Sequence, residues 1–516
     1  MSFSSKIKNI LNQIDSDYLL VNNTNEWLDE TPNILESSVY TLTGFTGDTG
    51  DVLMCKNGDC YLFVDGRYHI QAENEVKKEI KIVKLQPTQR QDIEICKIVK
   101  ENSTLAITTK KISLGRFEKI KQQLENKNIK FKFLDKDLIN DNSIKKSDNF
   151  LRTGCVPKKL NNAKAMLITE PNKVSYLTQY RNFEQEGSSK IYAKLFIDEN
   201  GKKRIFTEQQ EMEDFLKNYN EEIIVNKDIN LYDYNLLKYP VIEDDKINIL
   251  KSVKTEEEIN ALKNAFKISD KSLFQLREFI LNSKSGELSE FDISNKLTEL
   301  FYKNGATGLS FKPIVAINQH SSLAHYNDFS KTTYLKDGDL LLIDCGIYTK
   351  EGLATDTTRI FVKGEPNNLQ KQVYTLVLKA FLNCYNIHTS TGFEMHNFAH
   401  KILDNQIRVK DYNGEQDEFV FNHGLGHGIG ITVHEAPPSL SIGEIAKKNI
   451  ENGMCFTIEP GLYHRDYFGI RLENSFYMEN NKNISFNSIG FEKKLIEFDK
   501  LNENEKQILQ NFELLD

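Results

Sequence analysis

Four carboxylates in the second half of this 516-residue chain sit inside, or directly after, apolar runs of strand length. They are Asp344 in LLLIDCGI, Asp356 in ATDTTR, Glu459 in CFTIEPG and Glu473 in GIRLEN. A carboxylate buried in a sheet is costly unless it is paired or bound to a cation. Four around one site would repel strongly, so a fold that gathers these runs calls for one or two divalent ions. His427, in HGLGHGIG, adds an imidazole. Oxygen-rich ligation with a single imidazole suits Mn, Co, Zn or Fe(II) better than a thiolate-selecting metal. The histidines point the same way: of ten, nine lie between His320 and His464, and only His69 is outside.

Singly, each of these acids is most simply a salt-bridged surface group, and His427 a satisfied core histidine. The ordered set, with its punctuating glycines and apolar flanks, is what points to a metal site. HNFAH at 396–400 is the contrast. It has the i, i+4 histidine spacing of a zinc helix, but Asn397 stands where a glutamate base would be, and a solvated helix face is expected there.

Length predicts about three domains. Hydrophobic residues make up 39% and charged residues 27%, values of an ordinary globular chain. No run approaches the roughly 18 apolar residues of a membrane helix. The N-terminus has no apolar core of signal-peptide length, reads as a helix, and suggests a cytoplasmic protein. A net charge of −8 gives no reason to expect nucleic acid as a partner. The seven cysteines are odd in number and scattered, which suits a reducing compartment; Cys55 and Cys60 are expected as paired strand thiols.

One pattern occurs twice in the first 250 residues. DYLLV at 17–21 precedes DVLMC and CYLFVD, which flank Lys56-Asn57-Gly58-Asp59, a two-residue hairpin signal of type I′. AMLIT at 165–169 precedes IYAKLFID and RIFTE, which flank Glu199-Asn200-Gly201-Lys202. This implies two α/β domains, 1–152 and a shortened 153–250, followed by a third at 251–516. The third opens on an amphipathic helix with Ile259, Leu262, Phe266, Leu273, Leu276 and Ile280 at helical spacing. A second helix starts at Ser289 with Asp292 in a box-like cap. Strands follow, then helices over about 369–388 and 394–404, then more strands. The order helix pair, strand pair, helix pair, strand pair predicts a pseudo-duplicated α+β domain with its site between two hairpins. Asp344 and Asp356 would share one face of the first hairpin, and Glu459 and Glu473 one face of the second. Cys345 would point to the other face and pack. Arg67 reads as a structural arginine at a turn, and Trp27 as a packing residue.

From about residue 252 onward the chain resembles the pita-bread metallopeptidase family of methionine aminopeptidases, prolidases and Xaa-Pro aminopeptidases. KTEEEINALKNAFKISD, SFKPIVAINQHSSLAHY, DCGIYTKEGLATDTTR, HGLGHGIGITVHEAP, GMCFTIEPGLY and GIRLEN carry the resemblance, in family order. LTGFTGDTGDVLM, LFVDGRYHIQA and KVSYLTQYRN resemble the two creatinase-N-terminal-like domains of three-domain Xaa-Pro aminopeptidases. The tail FEKKLIEFDKLNENEKQILQNF resembles their C-terminal extension.

The resemblance implies that Asp344 binds one metal ion, that Asp356 and Glu473 bridge two, and that His427 and Glu459 bind the other. Glu459 would also shuttle the proton, with His325 and His434 on the substrate side and His423 and Arg471 as supporting or substrate-contact groups. It implies two divalent ions, manganese before zinc or cobalt, and a homodimer. The implied reaction cuts the bond between an N-terminal residue and a following proline, through a hydroxide shared by the ions. A prolidase acting on Xaa-Pro dipeptides is the rival reading, and a non-catalytic binding protein on the same scaffold a weaker one. The chain departs from the family pattern by one extra residue between the two aspartates and by Leu353 where an aromatic is common.

Overall fold

The computed structural model describes residues 2–144, 146–160, 164–387 and 391–516. The chain divides into two compact units. One comprises Met1–Asp148, Leu160–Val174 and Tyr192–Asp245; the other comprises Asn149–Lys159, Ser175–Ile191 and Lys246–Asp516.

The first unit holds two mixed sheets. The six-stranded sheet runs in the order Lys81–Lys84, Cys60–Val64, Asp51–Cys55, Tyr18–Val21, Thr104–Thr108, Lys130–Leu134. The five-stranded sheet runs Lys203–Phe206, Lys194–Ile197, Ala165–Ile168, Ile223–Val225, Pro240–Ile242. Apart from the extra edge strand Lys81–Lys84, the two repeat one plan: two antiparallel steps, then two parallel ones. The N-terminal segment is a helix, Phe3–Gln13.

The first hairpin turn differs from the type I′ expectation. Gly58 N–H donates to Cys55 O at 2.8 Å and Cys55 N–H to Asp59 O at 2.9 Å. Only Gly58, at φ +97°, is left-handed there; Asn57 is not. This is a three-residue loop with a glycine bulge, which needs one left-handed residue where type I′ needs two. Gly201 (φ +80°) closes the same loop in the second sheet, with Asp198 bonding to Gly201 and Lys202. Arg67 grips Asp65 with two bonds, at 2.9 and 2.8 Å, on the turn after Val64. Trp27 packs edge-on to Tyr192. All seven cysteines are buried free thiols.

In the second unit, Thr255 and Glu258 form a capping box on the helix Glu256–Asn282, and Ser289 and Asp292 cap Glu290–Asn304 in the same way. The strands Ile314–Ile317, Leu340–Cys345 and Thr357–Val362 form one antiparallel sheet. The helices Asn368–Asn386 and Gly392–Leu403 follow, the first ending two residues short of its expected limit. A second antiparallel sheet then forms from Cys455–Ile458, Asn474–Glu479 and Lys482–Ser485.

Apart from Asp344, Leu340–Cys345 is apolar because both of its faces are covered. Leu340 and Leu342 join Val373, Val377 and Phe381 in one cluster, while Leu341, Ile343 and Cys345 join Leu273, Leu276 and Leu297 in another. Full burial of each such leucine or isoleucine is worth about 1.5–3 kcal/mol. The period of two puts Asp344 on the Leu340–Leu342 face and Cys345 on the other. Among the described residues no helix is long and apolar enough to cross a membrane.

Candidate metal centre

Strand register assembles the acids. Asp344 lies opposite Thr358, so Asp356, two residues before Thr358, is its diagonal neighbour on the same face. The turn between them closes with Gly352 N–H on Thr349 O at 2.8 Å, and Leu353 is buried beside it. In the second sheet Ile458 lies opposite Asn474, so Glu459 and Glu473 stand at the next step of the ladder. Glu473 N–H donates to Thr358 O at 3.2 Å, which ties the two sheets together at the site.

His427 Nε2 lies 3.4 Å from Asp356 Oδ2 and 3.4 Å from Glu459 Oε1. Donor atoms of Asp356, His427 and Glu473 all lie within 4.8 Å of one another. Arg471 Nη2 donates to Asp344 Oδ2 at 2.5 Å, and Thr358 Oγ1 donates to Glu473 Oε2 at 2.7 Å. The five expected ligands are therefore brought into one small region. His434 packs edge-on against the His427 ring, with centroids 4.4 Å apart.

Three oxygens of this set, Asp344 Oδ1, Asp356 Oδ1 and Glu473 Oε1, are buried and have no hydrogen-bond partner among the described residues. Burial first, and then the neighbouring acidic charges, push Asp356 and Glu473 well above the usual carboxylate range. Arg471 is the buried cation within hydrogen-bonding reach of these acids. Burial works against its charge, but Tyr463, Asp344, Glu459 and Glu473 hold it protonated. One guanidinium cannot neutralise four carboxylates. Hard oxygen donors with one imidazole, and orphaned oxygens among them, fit divalent ions.

His423 and Arg471 belong to one chain of bonds. Arg471 Nη1 donates to Tyr463 OH at 2.7 Å. His423 Nδ1 meets Gly424 O at 2.7 Å, so its proton is on Nδ1 and the Tyr463 hydroxyl donates to its Nε2 at 2.8 Å. His325 is half-buried in the segment 318–330. That segment is held by Glu290, a fully buried carboxylate that accepts from Ile317 N, His320 Nδ1, Tyr326 OH and Ser330 N.

The HNFAH expectation needs correcting. His396 is buried rather than solvated, because its helix face packs beside Phe421. Its partner His400 pairs with Asp404 at 2.9 Å. Sequence reasoning also missed Thr358, Tyr463 and Arg359. Thr358 was findable, since it shares the period-two face of Asp356. Arg359 is fully buried and donates to Gly490 O, Thr358 O, Glu473 O, Asn474 Oδ1 and Ile489 O. Nothing in the ATDTTR string alone distinguishes it from a surface arginine.

Two strand pairs present buried acids and an imidazole to one place, a donor set that could hold divalent cations and serve a metal-dependent hydrolase. The sequence pattern of metallopeptidase family M24 matches residues 260–480, and that of the creatinase/prolidase N-terminal domain matches residues 4–138. An uncharacterised peptidase of Bacillus subtilis is 31% identical over 62% of this chain and 86% of its own length. The chain belongs to metallopeptidase family M24 and is a metallo-exopeptidase.

Xaa-Pro aminopeptidase 1 of Dictyostelium discoideum is 26% identical over 91% of this chain and 85% of its own. An Xaa-Pro dipeptidase of Pyrococcus furiosus is 32% identical over 46% of this chain and 64% of its own. In fold, the chain matches an X-prolyl aminopeptidase of Caenorhabditis elegans with a TM-score of 0.85 at 17% identity, covering 98% of this chain and 94% of that one. That protein is described as a cytosolic enzyme with a di-nuclear active site.

Proposed function

We propose that the protein is an Xaa-Pro aminopeptidase that uses two divalent ions to release an N-terminal residue from a peptide with proline second. The observation that carries the metal reading is the trio of buried, unpartnered oxygens on Asp344, Asp356 and Glu473 beside His427. The choice of aminopeptidase over dipeptidase rests on likeness along nearly the whole chain to an Xaa-Pro aminopeptidase, where the dipeptidase likeness spans about half.

Asp344, Asp356, His427, Glu459 and Glu473 would hold the ions, manganese first, with zinc and cobalt compatible with the same donors. Bound there, the ions would lower the pKa of water toward neutrality and polarise the scissile carbonyl. Glu459 takes the proton of the attacking water and delivers it to the leaving proline nitrogen. That nitrogen is tertiary in the substrate, so the pocket needs no acceptor for an N–H there. His434 and His325 hold substrate oxygens, and Arg471 fixes Asp344 while joining it to Tyr463 and His423. The seven free thiols support a reducing, cytoplasmic setting.

The test is hydrolysis of Xaa-Pro-Yaa against Xaa-Pro after chelation and return of Mn2+. Tripeptide cleavage restored by the metal, with the dipeptide cut far more slowly, is expected. Preference for the dipeptide would make the protein a prolidase, and undiminished cleavage by the chelated protein would remove the metal reading.

A further inference from the structure

Glu435 follows His434, is buried at 4% exposure, and has no part in the reaction outlined above. Its Oε1 lies 2.7 Å from Lys254 Nζ and its Oε2 2.9 Å from Lys251 Nζ, and both lysines are themselves buried. Ile431 N–H donates to Oε2 at 3.1 Å. Gly430 lies so close that a Cβ there would stand 2.1 Å from Oε1. The carboxylate therefore fills the inside of the loop that runs from His427 to Glu435.

The main chain of that loop is closed on itself. Glu435 N–H donates to Gly428 O at 2.8 Å, and Gly428 N–H donates to Pro438 O at 2.9 Å. The Thr432 hydroxyl donates to His434 O at 2.7 Å. Gly428 O has a second partner, His427 Nδ1, at 3.1 Å. A carbonyl only accepts, so this contact puts an imidazole proton on Nδ1 and makes Nε2 the nitrogen that can bind a metal ion. Nε2 is the atom that faces Asp356 and Glu459. A ligating imidazole needs a bare nitrogen, and the group bonded to its other nitrogen decides the tautomer.

A buried carboxylate between two buried ammonium groups adds little net stability over apolar side chains of the same shape, because desolvation offsets the attraction. Its directional bonds account for it better. We propose that Glu435, clamped by Lys251 and Lys254, is a positioning residue that fixes the Gly428 carbonyl, and through it the tautomer and orientation of His427 and the seat of His434. This rests on the reading of His427 as a metal ligand.

The test uses Glu435→Gln in the full-length protein. The amide oxygen can still accept from Ile431, but the charge that holds both lysines is gone. Three readouts follow: imidazole 15N spectra of the metal-free protein, Mn2+ affinity by calorimetry, and steady-state kinetics. The expected result is a mixture of His427 tautomers, Mn2+ binding weakened about 10–100-fold, and a fall in kcat larger than any rise in KM. If Glu435→Gln does not fold, Glu435→Met combined with Lys251→Met and Lys254→Met removes all three charges together. That variant is expected to fold with unimpaired thermal stability, yet with the same tautomer mixing and affinity loss.

A folded variant of either kind with His427 wholly in the Nδ1–H form, and Mn2+ affinity within about twofold of the parent, would overturn the clamp. The reading beneath it fails separately. If His427→Ala leaves Mn2+ affinity unchanged in the parent protein, His427 is no ligand, while the tautomer spectra still decide what Glu435 does.

Discussion

At the scale of single residues, Glu459 is set apart from the other acids by its surroundings. Asp344 is tied to Arg471 and Glu473 to Thr358, whereas the contacts of Glu459 are His427 Nε2 and a long one from Thr457 Oγ1, each at 3.4 Å. A carboxylate held this loosely can change partners during a proton transfer. Glu459→Gln keeps the shape and one oxygen donor, so Mn2+ should still bind, while kcat falls by at least about 100-fold. Parent-like turnover would remove the shuttle role.

The acids of the candidate metal centre were legible in the sequence because burial of charge leaves a visible anomaly, a carboxylate in an apolar run. Thr358, Tyr463 and Glu435 leave no such mark. Threonine and tyrosine are ordinary in strands, and Glu435 becomes unusual only when Lys251 and Lys254 fold onto it from more than 180 residues away.

At the scale of elements, helices were read closely, because capping boxes and 3.6-residue periodicity are local signals. The Ser289/Asp292 cap falls where the sequence places it, and the Thr255/Glu258 box on the preceding helix is a further one that the structure adds. The first hairpin turn was misread. Asn-Gly announces a left-handed residue, but loop length depends on which pair of strand residues closes the ladder, and that is a property of both strands together. With only glycine left-handed, Gly201→Ala, where a Cβ meets nothing within 4 Å, should destabilise the protein by about 1 kcal/mol, and Gly58→Ala by more because its Cβ would stand 1.9 Å from Ser4 Oγ; Asn57→Ala loses only exposed bonds to Asp59 and should cost less than either, with denaturant midpoints as the measure. A large effect of Asn57→Ala would indicate the two-residue turn after all.

Arg359 acts at the same scale. Its guanidinium is the post to which both the Thr357–Val362 strand and the segment from Glu473 to Gly490 are fastened. Arg359→Met removes five donated bonds, four of them to main-chain carbonyls and one to Asn474 Oδ1. The loss should be several kcal/mol, seen as a fall in Tm with or without metal.

At the scale of the whole molecule, the acidic site links stability to pH. In the metal-free protein Asp356 and Glu473 are pushed above their ordinary values, first by burial and then by the neighbouring acids: Asp344 and Glu459 for Asp356, and Asp356, Glu459 and Asp344 for Glu473. The folded state therefore holds protons that the unfolded chain releases near pH 4. Their contribution to stability is intact below that pH and is lost as pH rises through the raised values. Metal-free protein should accordingly lose stability from about pH 5 upward, and Mn2+ should raise Tm more at pH 7.5 than at pH 5.5. A Tm increment that does not vary with pH would contradict the acidic-site account.

The strand Leu340–Cys345 carries a further consequence. Each of its faces is sealed by a different hydrophobic cluster, and Asp344 projects from one of them. No small local opening can release that strand, since freeing it breaks two cores together. Heat should thus silence the enzyme only by melting the unit that holds it: the inactivation curve and the unfolding curve would superimpose, with no dormant, still-folded form between them.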